Sequence, residues 1–366
     1  MIQSELLHHA QKLVRDSVQS ITEVQEGSAD TSDNNTQPSS RPLILIACSG
    51  GRDSLALAAV AQRACANQAV RYGDAEYKVG ALIINHQLQE NSDLVARQAA
   101  ERCEELGLSP VRVVDVTVEK TRSGVESDAR DARYAALVSE AKKLGAIAVL
   151  VAHTQDDVAE TIMIQLIRSA HIDALSGISP VTYFDGIPVV RPFLSMSREQ
   201  TTQICDELNL KYWDDPTNGD DVEGELAQDY PLRSRIRHDV IPLINRVADR
   251  DIRSILSIGS QFAREDLEII ENAVDDAYTS IVREKNGNEE IKIRALHAFA
   301  PAVQRRVIAR FLENINITPT RSMIFAIIEL SNSEQKKKEV YISSTLRANK
   351  LYNVIQLWKD REYANF

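Results

Sequence analysis

Between residues 43 and 168, short apolar runs alternate with longer segments whose apolar residues recur at helical spacing. Strands are predicted at Leu43–Ala47, Val79–Asn85, Val111–Val116 and Ala146–Ala152, and helices at Ser54–Val60, Asp93–Leu106, Ser127–Leu144 and Asp156–Arg168. This alternation predicts an α/β fold with a doubly wound, mostly parallel sheet. Ligands of such sheets bind where the carboxyl ends of the strands meet.

The pattern changes on both sides of this α/β segment. Residues 1–25 have the spacing of one amphipathic helix, and residues 26–41 are polar without periodicity, which predicts a disordered linker. After residue 250 we predict helices, then a strand, a turn and a strand, over Ile252–Val282, Pro301–Asn314, Thr320–Leu330 and Glu339–Lys359. The sequence therefore predicts a catalytic α/β domain over 42–249 and a smaller, mainly helical C-terminal domain over 250–366 that ends in a β-hairpin.

Composition and charge narrow the class of protein. The net charge of −11 excludes a general nucleic-acid coat, so any RNA site must be a local basic patch. Four scattered cysteines without a C-x-x-C pair argue against a zinc ribbon, an iron–sulfur site or a disulfide framework, and fit a reducing cytoplasm. No stretch is apolar for long enough to span a membrane, and the charged N-terminal segment is not a signal peptide. We therefore expect a cytoplasmic protein without a membrane partner.

The loop Ser49–Ser54 follows the first predicted strand. Its two glycines permit positive φ angles and a close backbone approach, and the next helix begins at Asp53 or Ser54. The N–H groups at a helix N-terminus attract an anion, so we predict that this loop holds phosphate. The spacing of a Walker loop and that of a dinucleotide-binding loop are both absent. The simpler alternative is a glycine-rich turn with two polar caps.

A second polar group, "HTQDDVAE", follows the strand Ala146–Ala152. His153, Asp156, Asp157 and Glu160 open the next helix, where helical spacing places Asp156 and Glu160 on one face. Acidic residues in a first turn complement the helix dipole, and that role alone explains part of the pattern. Carboxylates near a pyrophosphate loop also indicate Mg²⁺, which shares oxygen ligands with phosphates.

Ser49–Ser54 reads "SGGRDS" and resembles the loop of the PP-loop ATP pyrophosphatases. Further segments, in order, resemble one PP-loop family, tRNA(Ile)-lysidine synthase. They are "INHQLQENSD", "GVESDARDARYAAL", "AHTQDDVAET", "VRPFLSMSREQ", "WDDPTNGD" and "PLRSRIRHDVIPLI". The resemblance covers most of the chain from residue 42 onward. It departs from the family at Gln87, where glycine is usual, at Ser234, where asparagine is usual, and at Ser169–His171, where a glycine-rich turn is common.

The resemblance implies a reaction in two steps. This family joins lysine to the wobble cytidine of the isoleucine tRNA with a CAU anticodon. ATP first adenylates the oxygen on carbon 2 of the base and pyrophosphate leaves; the lysine ε-amine then attacks carbon 2 and expels AMP. ATP, Mg²⁺, L-lysine and tRNA are thus the implied cofactors and partners, and the resemblance is compatible with a homodimer. It also implies that the domain over 250–366 takes part in tRNA recognition.

The matching motifs also imply a set of site residues. The ATP loop comprises Ser49, Gly50, Gly51, Arg52, Asp53 and Ser54. The catalytic candidates are Asp53, Arg130, His153, Asp156, Asp157 and Arg191. Lysine binding is predicted for Glu160 and Asp157, metal binding for Asp53 and Asp157, and tRNA binding for Arg233, Arg235, Arg237 and His238.

Three other functions remain open from the residues. A PP-loop thiolase that sulfurates tRNA commonly carries C-x-x-C pairs or a cysteine in a motif, and neither is visible here. A PP-loop amide ligase would not need the segments Trp213–Asn218 and Arg233–Pro242. A non-catalytic tRNA-binding protein would not need Asp53, His153 and Asp157 together.

Individual residues also have simpler interpretations. Arg130 and Arg133 could form surface ion pairs with Asp128 and Asp131, because the spacing suits such pairs. His86 could be a structural histidine at a strand end, and Trp213 could belong to the core. The run Lys336–Lys338 is typical of a solvated loop.

Overall fold

The structure is a computed structural model. It describes residues 4–28, 41–66, 77–87, 91–117, 125–169, 171–215, 222–285, 288–343 and 346–359. The chain forms two compact units, Met1–Arg264 and Glu265–Phe366. The first unit extends past residue 249 because Leu256 packs against Val158 and Ile162 and Arg264 donates to the carbonyl oxygen of Ser176 at 2.7 Å. Most of the predicted linker lies outside the described residues.

The first unit contains a six-stranded sheet. Its strands are β1 (Leu43–Ala47), β2 (Lys78–Asn85), β3 (Val111–Asp115), β4 (Ala146–Leu150), β5 (Val181–Phe184) and β6 (Ile187–Val190). They lie in the order β3-β2-β1-β4-β6-β5, and every neighbouring pair is parallel except β5 with β6. This confirms the predicted mostly parallel, doubly wound sheet.

α-Helices alternate with these strands and follow them along the chain. They are α1 (Glu5–Ser28), α2 (Arg52–Ala66), α3 (Ser92–Glu105), α4 (Val125–Lys143), α5 (Gln155–Arg168), α6 (Arg198–Glu207), α7 (Leu232–Arg235), α8 (Ile241–Ala248) and α9 (Ile252–Ile281). A 3₁₀ turn spans Ile172–Leu175, and a π-helical turn spans Ile236–Val240. Across the described residues, no helix is both long and apolar enough to cross a membrane.

Alternate side chains of β1 pack into two hydrophobic clusters, one on each face of the sheet. Ile44 and Ile46 pack with buried residues of α1, α2, α3 and α6, whereas Leu45 packs on the opposite face with Leu137 of α4. The N-terminal helix contributes Leu7 and other apolar residues to the first of these clusters. It is therefore an integral layer of the first unit.

The second unit is built around an antiparallel sheet. Its strands are β7 (Val282–Lys285), β8 (Asn288–Lys292), β9 (Lys337–Ser343), β10 (Leu346–Leu351) and β11 (Val354–Lys359), in the order β7-β8-β11-β10-β9. Its further helices are α10 (Ile293–Leu296), α11 (Pro301–Asn314) and α12 (Arg321–Asn332). The predicted C-terminal hairpin is thus part of a larger sheet; β7 and β8 escape sequence analysis because they are short and mostly polar.

Strand order determines where a ligand can enter the first unit. The chain runs from β1 outward to β2 and β3, and β4 then lies on the other side of β1. A crevice opens at such a switch point, between the carboxyl ends of the two central strands. The loop Ser49–Ser54 leaves β1 here, and the segment His153–Asp157 follows β4.

Candidate active site

The loop after β1 depends on glycine at its first turn. Gly50 has φ +82°, and a Cβ atom built there would lie 3.0 Å from Cβ of Ala99 on α3. The carbonyl oxygen of Gly50 accepts a hydrogen bond from the backbone N–H of Trp213 at 3.0 Å. A side chain at Gly50 would therefore strain the backbone and press on α3.

The two serines of this loop have different contacts. The buried Ser54 hydroxyl donates to the carbonyl oxygen of Gly51 at 2.9 Å and accepts from the backbone N–H of Ser49 at 3.2 Å. Ser49 is exposed, and its Oγ lies 3.2 Å from that of Ser54. Ser54 thus holds the shape of the loop, and Ser49 presents a hydroxyl to the crevice.

The charged pair of the loop points in two directions. The Arg52 guanidinium donates to Asp214 at 2.9 Å and lies 5.5 Å from the centre of the Tyr212 ring, so it anchors the segment near Trp213. Asp53 accepts a hydrogen bond from the Thr201 hydroxyl, and its Oδ2 lies 3.4 Å from Nε of Arg198. Burial raises the pKa of the Asp53 carboxyl, while Arg198 opposes the shift.

Two of the acidic residues after β4 have structural contacts. Oδ2 of Asp157 accepts from the backbone N–H of Thr154 at 2.9 Å and from its hydroxyl at 3.0 Å, which caps α5. The buried Asp156 accepts from the backbone N–H of Arg198 at 2.8 Å and from Nη1 of Arg253 at 3.0 Å. Asp156 thereby ties α5 to the first turns of α6 and α9, and its predicted catalytic role stays a prediction.

Glu160 lies at the centre of an arginine–carboxylate cluster. Its carboxylate is fully buried; Nε of Arg237 lies 2.6 Å from it, and the nearest guanidinium nitrogens of Arg233 and Arg198 lie at 3.3 and 3.6 Å. The other carboxylates of the cluster are Asp53 and Asp157, since Arg198 also approaches both.

The cluster sets the charge of its members. Burial alone would raise the pKa of Asp157, but Arg198 and Arg233 hold it well below its usual range. Burial alone would lower the pKa of Arg198, but Asp157, Glu160 and Asp53 raise it. Asp157 is therefore an anion at any working pH, which suits it to bind a cation and makes it a weak proton acceptor.

His153 is held by a buried arginine. Nε of Arg191 lies 3.2 Å from Nδ1 of His153, and its Nη1 donates to the carbonyl oxygen of Ser179 at 2.9 Å and to Thr182 at 3.1 Å. Burial lowers the pKa of His153 to about 3, with the charge of Asp157 opposing and that of Arg191 adding to the shift. The imidazole is therefore neutral.

Two further arginines contribute positive charge near His153. Arg130 and Arg133 of α4 lie 5.3 and 5.5 Å from the centre of the Tyr134 ring. Burial would raise the pKa of Tyr134, but Arg191, Arg133 and Arg130 bring it below its ordinary value. Arg130, a predicted catalytic residue, is exposed, and its charge acts on His153 together with that of Arg133.

Three of the four predicted tRNA-binding residues, Arg233, Arg237 and His238, have partners within the protein. Arg233 and Arg237 turn toward Glu160. Both ring nitrogens of His238 have partners, Oδ1 of Asp239 at 2.8 Å and the carbonyl oxygen of Val222 at 3.1 Å. Within the described part of the chain, no hydrogen bond or ion pair engages the Arg235 side chain.

The residues present can be tested as ligands of Mg²⁺. Asp53 offers a partly exposed carboxylate beside the phosphate loop, and Mg²⁺ commonly takes one or two carboxylates together with substrate phosphates. Asp157 is enclosed by Arg198 and Arg233, which compete with a metal ion for its oxygens. No group of three potential ligands from His, Cys, Asp and Glu occurs among the described residues, so Asp53 with phosphate oxygens is the donor set that fits.

Sequence reasoning assigned no role to the residue that organises the site. Arg198 bridges three carboxylates, and Thr201 on the next turn holds Asp53. Arg198 is the last residue of "RPFLSMSR", a segment that resembles a family motif, and this position indicated a functional role. Its partners are distant in sequence, so their identity required the fold.

Comparison with known proteins agrees with this geometry. The family model described as a PP-loop domain matches residues 22–244, so the fold and loop define a PP-loop protein. The chain is 41% identical to the tRNA(Ile)-lysidine synthase of Bifidobacterium animalis subsp. lactis, over 88% of this chain and 87% of that protein. It is 38% identical to the enzyme of that name from Streptomyces coelicolor, over 74% and 71%. The chain belongs to the tRNA(Ile)-lysidine synthase family.

A solved structure shares the fold at lower identity. The U34-tRNA thiolase NcsA from Methanococcus maripaludis with its [4Fe-4S] cluster matches with a TM-score of 0.50 and 16% identity, over 71% of this chain and 79% of that chain. This likeness concerns the fold alone.

Proposed function

We propose that the protein ligates L-lysine to carbon 2 of the wobble cytidine in the isoleucine tRNA with a CAU anticodon, using ATP and releasing pyrophosphate and AMP. The observation that carries this function is the phosphate loop at the switch point beside neutral His153 and anionic Asp157. The homologous lysidine synthases support the choice of substrate. This substrate pair needs an anion site for ATP and a cation site for the lysine side chain.

In the first step, the base oxygen attacks the α-phosphorus of ATP and pyrophosphate leaves. The backbone N–H groups of the loop and the Ser49 hydroxyl receive the β and γ phosphates. Arg130 and Arg133 place fixed positive charge near the developing negative charge, and His153 donates from Nε2 because its Nδ1 is occupied.

Asp53 is the protein group that would hold Mg²⁺ together with the ATP phosphates. The bound ion would neutralise phosphate charge and stabilise pyrophosphate as it leaves. Thr201 and Arg198 orient the Asp53 carboxylate, and their hydrogen bonds restrict its rotamer.

In the second step, the ε-ammonium first releases a proton to solvent, the neutral amine attacks carbon 2, the bond from carbon 2 to the adenylated oxygen breaks, and AMP departs. Asp157 binds the ε-ammonium, since its carboxylate stays ionised and Arg233 and Arg198 lie 3.5 and 3.7 Å from its Oδ1, farther than the 2.6 Å between Arg237 and Glu160. Glu160 is already enclosed by Arg237 and Arg233, so its predicted contact with lysine requires that this ion pair opens. We assign Glu160 the task of holding Arg198 and Arg233 against Asp157.

The wobble base must leave its stack to reach this crevice. Arg235 is the member of the predicted basic run with a guanidinium still available for a tRNA phosphate among the described residues. Arg233 and Arg237 act from inside the cluster.

The test is lysine transfer. Purified protein, ATP, Mg²⁺, isotope-labelled lysine and the CAU isoleucine tRNA are combined, and the digested nucleosides are analysed by mass. We expect a cytidine heavier by one condensed lysine, with one AMP formed for each. Asp53→Asn should abolish the product, whereas Asp185→Asn, at an exposed turn, should not. ATP turnover without lysine incorporation would contradict the proposal and favour a thiolase or an amide ligase; no turnover would favour a binding protein.

A further inference from the structure

Two of the four cysteines meet beneath the phosphate loop. Cys48 directly follows β1 and belongs to the same buried cluster as Ile44 and Ile46, so its side chain points to their face of the sheet. Ala99 and Cys103 of α3 belong to this cluster too, and their spacing of four places them on one helix face. The thiols of Cys48 and Cys103 are hydrogen-bonded to each other, and both cysteines are free. The end of β1 and α3 thus bring a pair of thiols into contact.

The elements that carry this thiol pair also determine the shape of the loop. The Cys48 thiol donates to the Ser54 hydroxyl at 3.6 Å, and that hydroxyl in turn holds the loop backbone. One turn before Cys103, Ala99 lies so close to Gly50 that a Cβ atom added there would be 3.0 Å from Cβ of Ala99. A movement of α3 relative to the end of β1 therefore reaches the phosphate-binding backbone directly.

The contact distinguishes Cys48 from the cysteines outside the pair. The hydrogen bond with Cys103 lowers the pKa of the Cys48 thiol, and burial opposes this shift. Burial raises the pKa of Cys65 to about 11 and that of Cys205 to about 12. Because the thiolate is the form of cysteine that attacks an oxidant, Cys48 is the cysteine best suited to oxidation.

We propose that Cys48 and Cys103 form a reversible disulfide on exposure to hydrogen peroxide, and that this disulfide weakens ATP binding by the loop. The Cys48 thiolate attacks one peroxide oxygen, the O–O bond breaks, and the departing hydroxide takes up the proton that Cys48 released. The sulfur of Cys103 then attacks the sulfenic sulfur, the S–O bond breaks, and the hydroxyl group leaves as water with the proton of Cys103. Two thiols and one peroxide thus give one disulfide and two waters, and a dithiol reverses the reaction.

The disulfide changes the loop because it is shorter than the contact that it replaces. An S–S bond is about 2 Å long, which is less than the separation of two hydrogen-bonded thiols. Bond formation draws α3 toward the end of β1 and removes the proton that Cys48 donates to Ser54. Ala99 then presses on Gly50, and the N–H groups of the loop no longer converge on phosphate. The inference rests on the proposed function only for ATP binding and needs no lysine transfer.

The test measures the affinity of the full chain for ATP with Mg²⁺ by calorimetry. The protein is compared in its reduced form, after treatment with hydrogen peroxide, and after later addition of dithiothreitol. Peptide mapping of the same samples detects the cross-link, since trypsin cleaves after Arg52 and Arg102 and leaves the two cysteines on separate peptides. Cys48→Ala removes the attacking thiol, and Cys65→Ala is the matched control on α2.

In the wild type and in Cys65→Ala, we expect the Kd for ATP to rise at least about 10-fold as the cross-link forms, as expected for one lost hydrogen bond to phosphate. Dithiothreitol should restore the original Kd, and Cys48→Ala should bind ATP equally with and without peroxide. Absence of the cross-link, an unchanged Kd of the cross-linked wild type, or an equal peroxide effect in Cys48→Ala would overturn the inference.

The cross-link and the Kd are measured on the same wild-type samples, so the test decides even where Cys48→Ala does not fold. Failure of the reduced wild-type protein to bind ATP would instead refute the proposed function. The two failures are therefore distinguishable.

Discussion

Nε of Arg191 donates a hydrogen bond to Nδ1 of His153 at 3.2 Å. A nitrogen that accepts from a guanidinium carries no proton, so the proton of the neutral ring lies on Nε2. Arg191 is itself buried and tied to backbone carbonyl oxygens of two neighbouring residues, Ser179 and Val189. We therefore propose that Arg191 positions His153, and its predicted catalytic role stays a prediction.

Arg191→Lys tests this relationship. Lysine keeps a positive charge but cannot donate to Nδ1 while also reaching the carbonyl oxygens, so we expect both tautomers of His153 to be populated. Lysine transfer in a single turnover should slow by about 10- to 100-fold, the cost of a misplaced catalytic group. Imidazole ¹⁵N spectra, assigned with His153→Asn, report the tautomer. A pure Nε2–H tautomer at wild-type rate in Arg191→Lys would refute this assignment.

Glu160→Gln should destabilise the protein strongly. The substitution leaves the partly buried Arg237, Arg233 and Arg198 without the central anion. We expect a loss of about 3 kcal/mol in the free energy of unfolding, measured in urea. Asp16→Asn, which breaks an exposed pair with Lys12, should cost less than about 0.5 kcal/mol. Equal effects of the two substitutions would mean that the cluster contributes no more than a surface ion pair.

Gly50→Ala should impair ATP binding, because it combines a positive φ with a contact of 3.0 Å to Ala99. Gly145→Ala is the matched control, since Gly145 has φ +66° with no neighbour within 4 Å of the added Cβ. Both variants should lose about 1 kcal/mol of stability from the backbone. ATP affinity, measured by calorimetry, should fall at least about 10-fold in Gly50→Ala alone. Wild-type affinity in that variant would show that the loop tolerates the added methyl group.

The neutral His153 makes stability depend on pH. Its pKa falls from 6.5 to about 3 on folding, so between these values the unfolded chain binds more protons. The contribution of the neutral His153 to the free energy of unfolding is therefore fully present above pH 6.5. It is lost as the pH falls toward 3, by at most about 1.4 kcal/mol per pH unit. His153→Asn cannot titrate, so its free energy of unfolding should fall less steeply on acidification. Parallel curves for the two proteins would exclude a buried neutral histidine.

Much of the first unit followed from local pattern. The strand Leu43–Ala47 was predicted with its observed bounds, because a buried strand between proline and glycine has clear limits. The hairpin of β5 and β6 was missed, since strands of four residues give little periodicity. The need for glycine in the phosphate loop was also predictable, because the positive φ of Gly50 is a property of the local backbone.

The sequence by itself determined the strands β1 to β4, the phosphate loop and the family, because these depend on local conformation and on motifs that are continuous in the chain. The partner of each charged residue was decided by the tertiary structure alone. Asp156 and Glu160 share a helix, yet one binds Arg253 and the other binds Arg237. A charge is stabilised by the partners that surround it in space, and those partners lie about 80 to 100 residues away in sequence, beyond any local pattern.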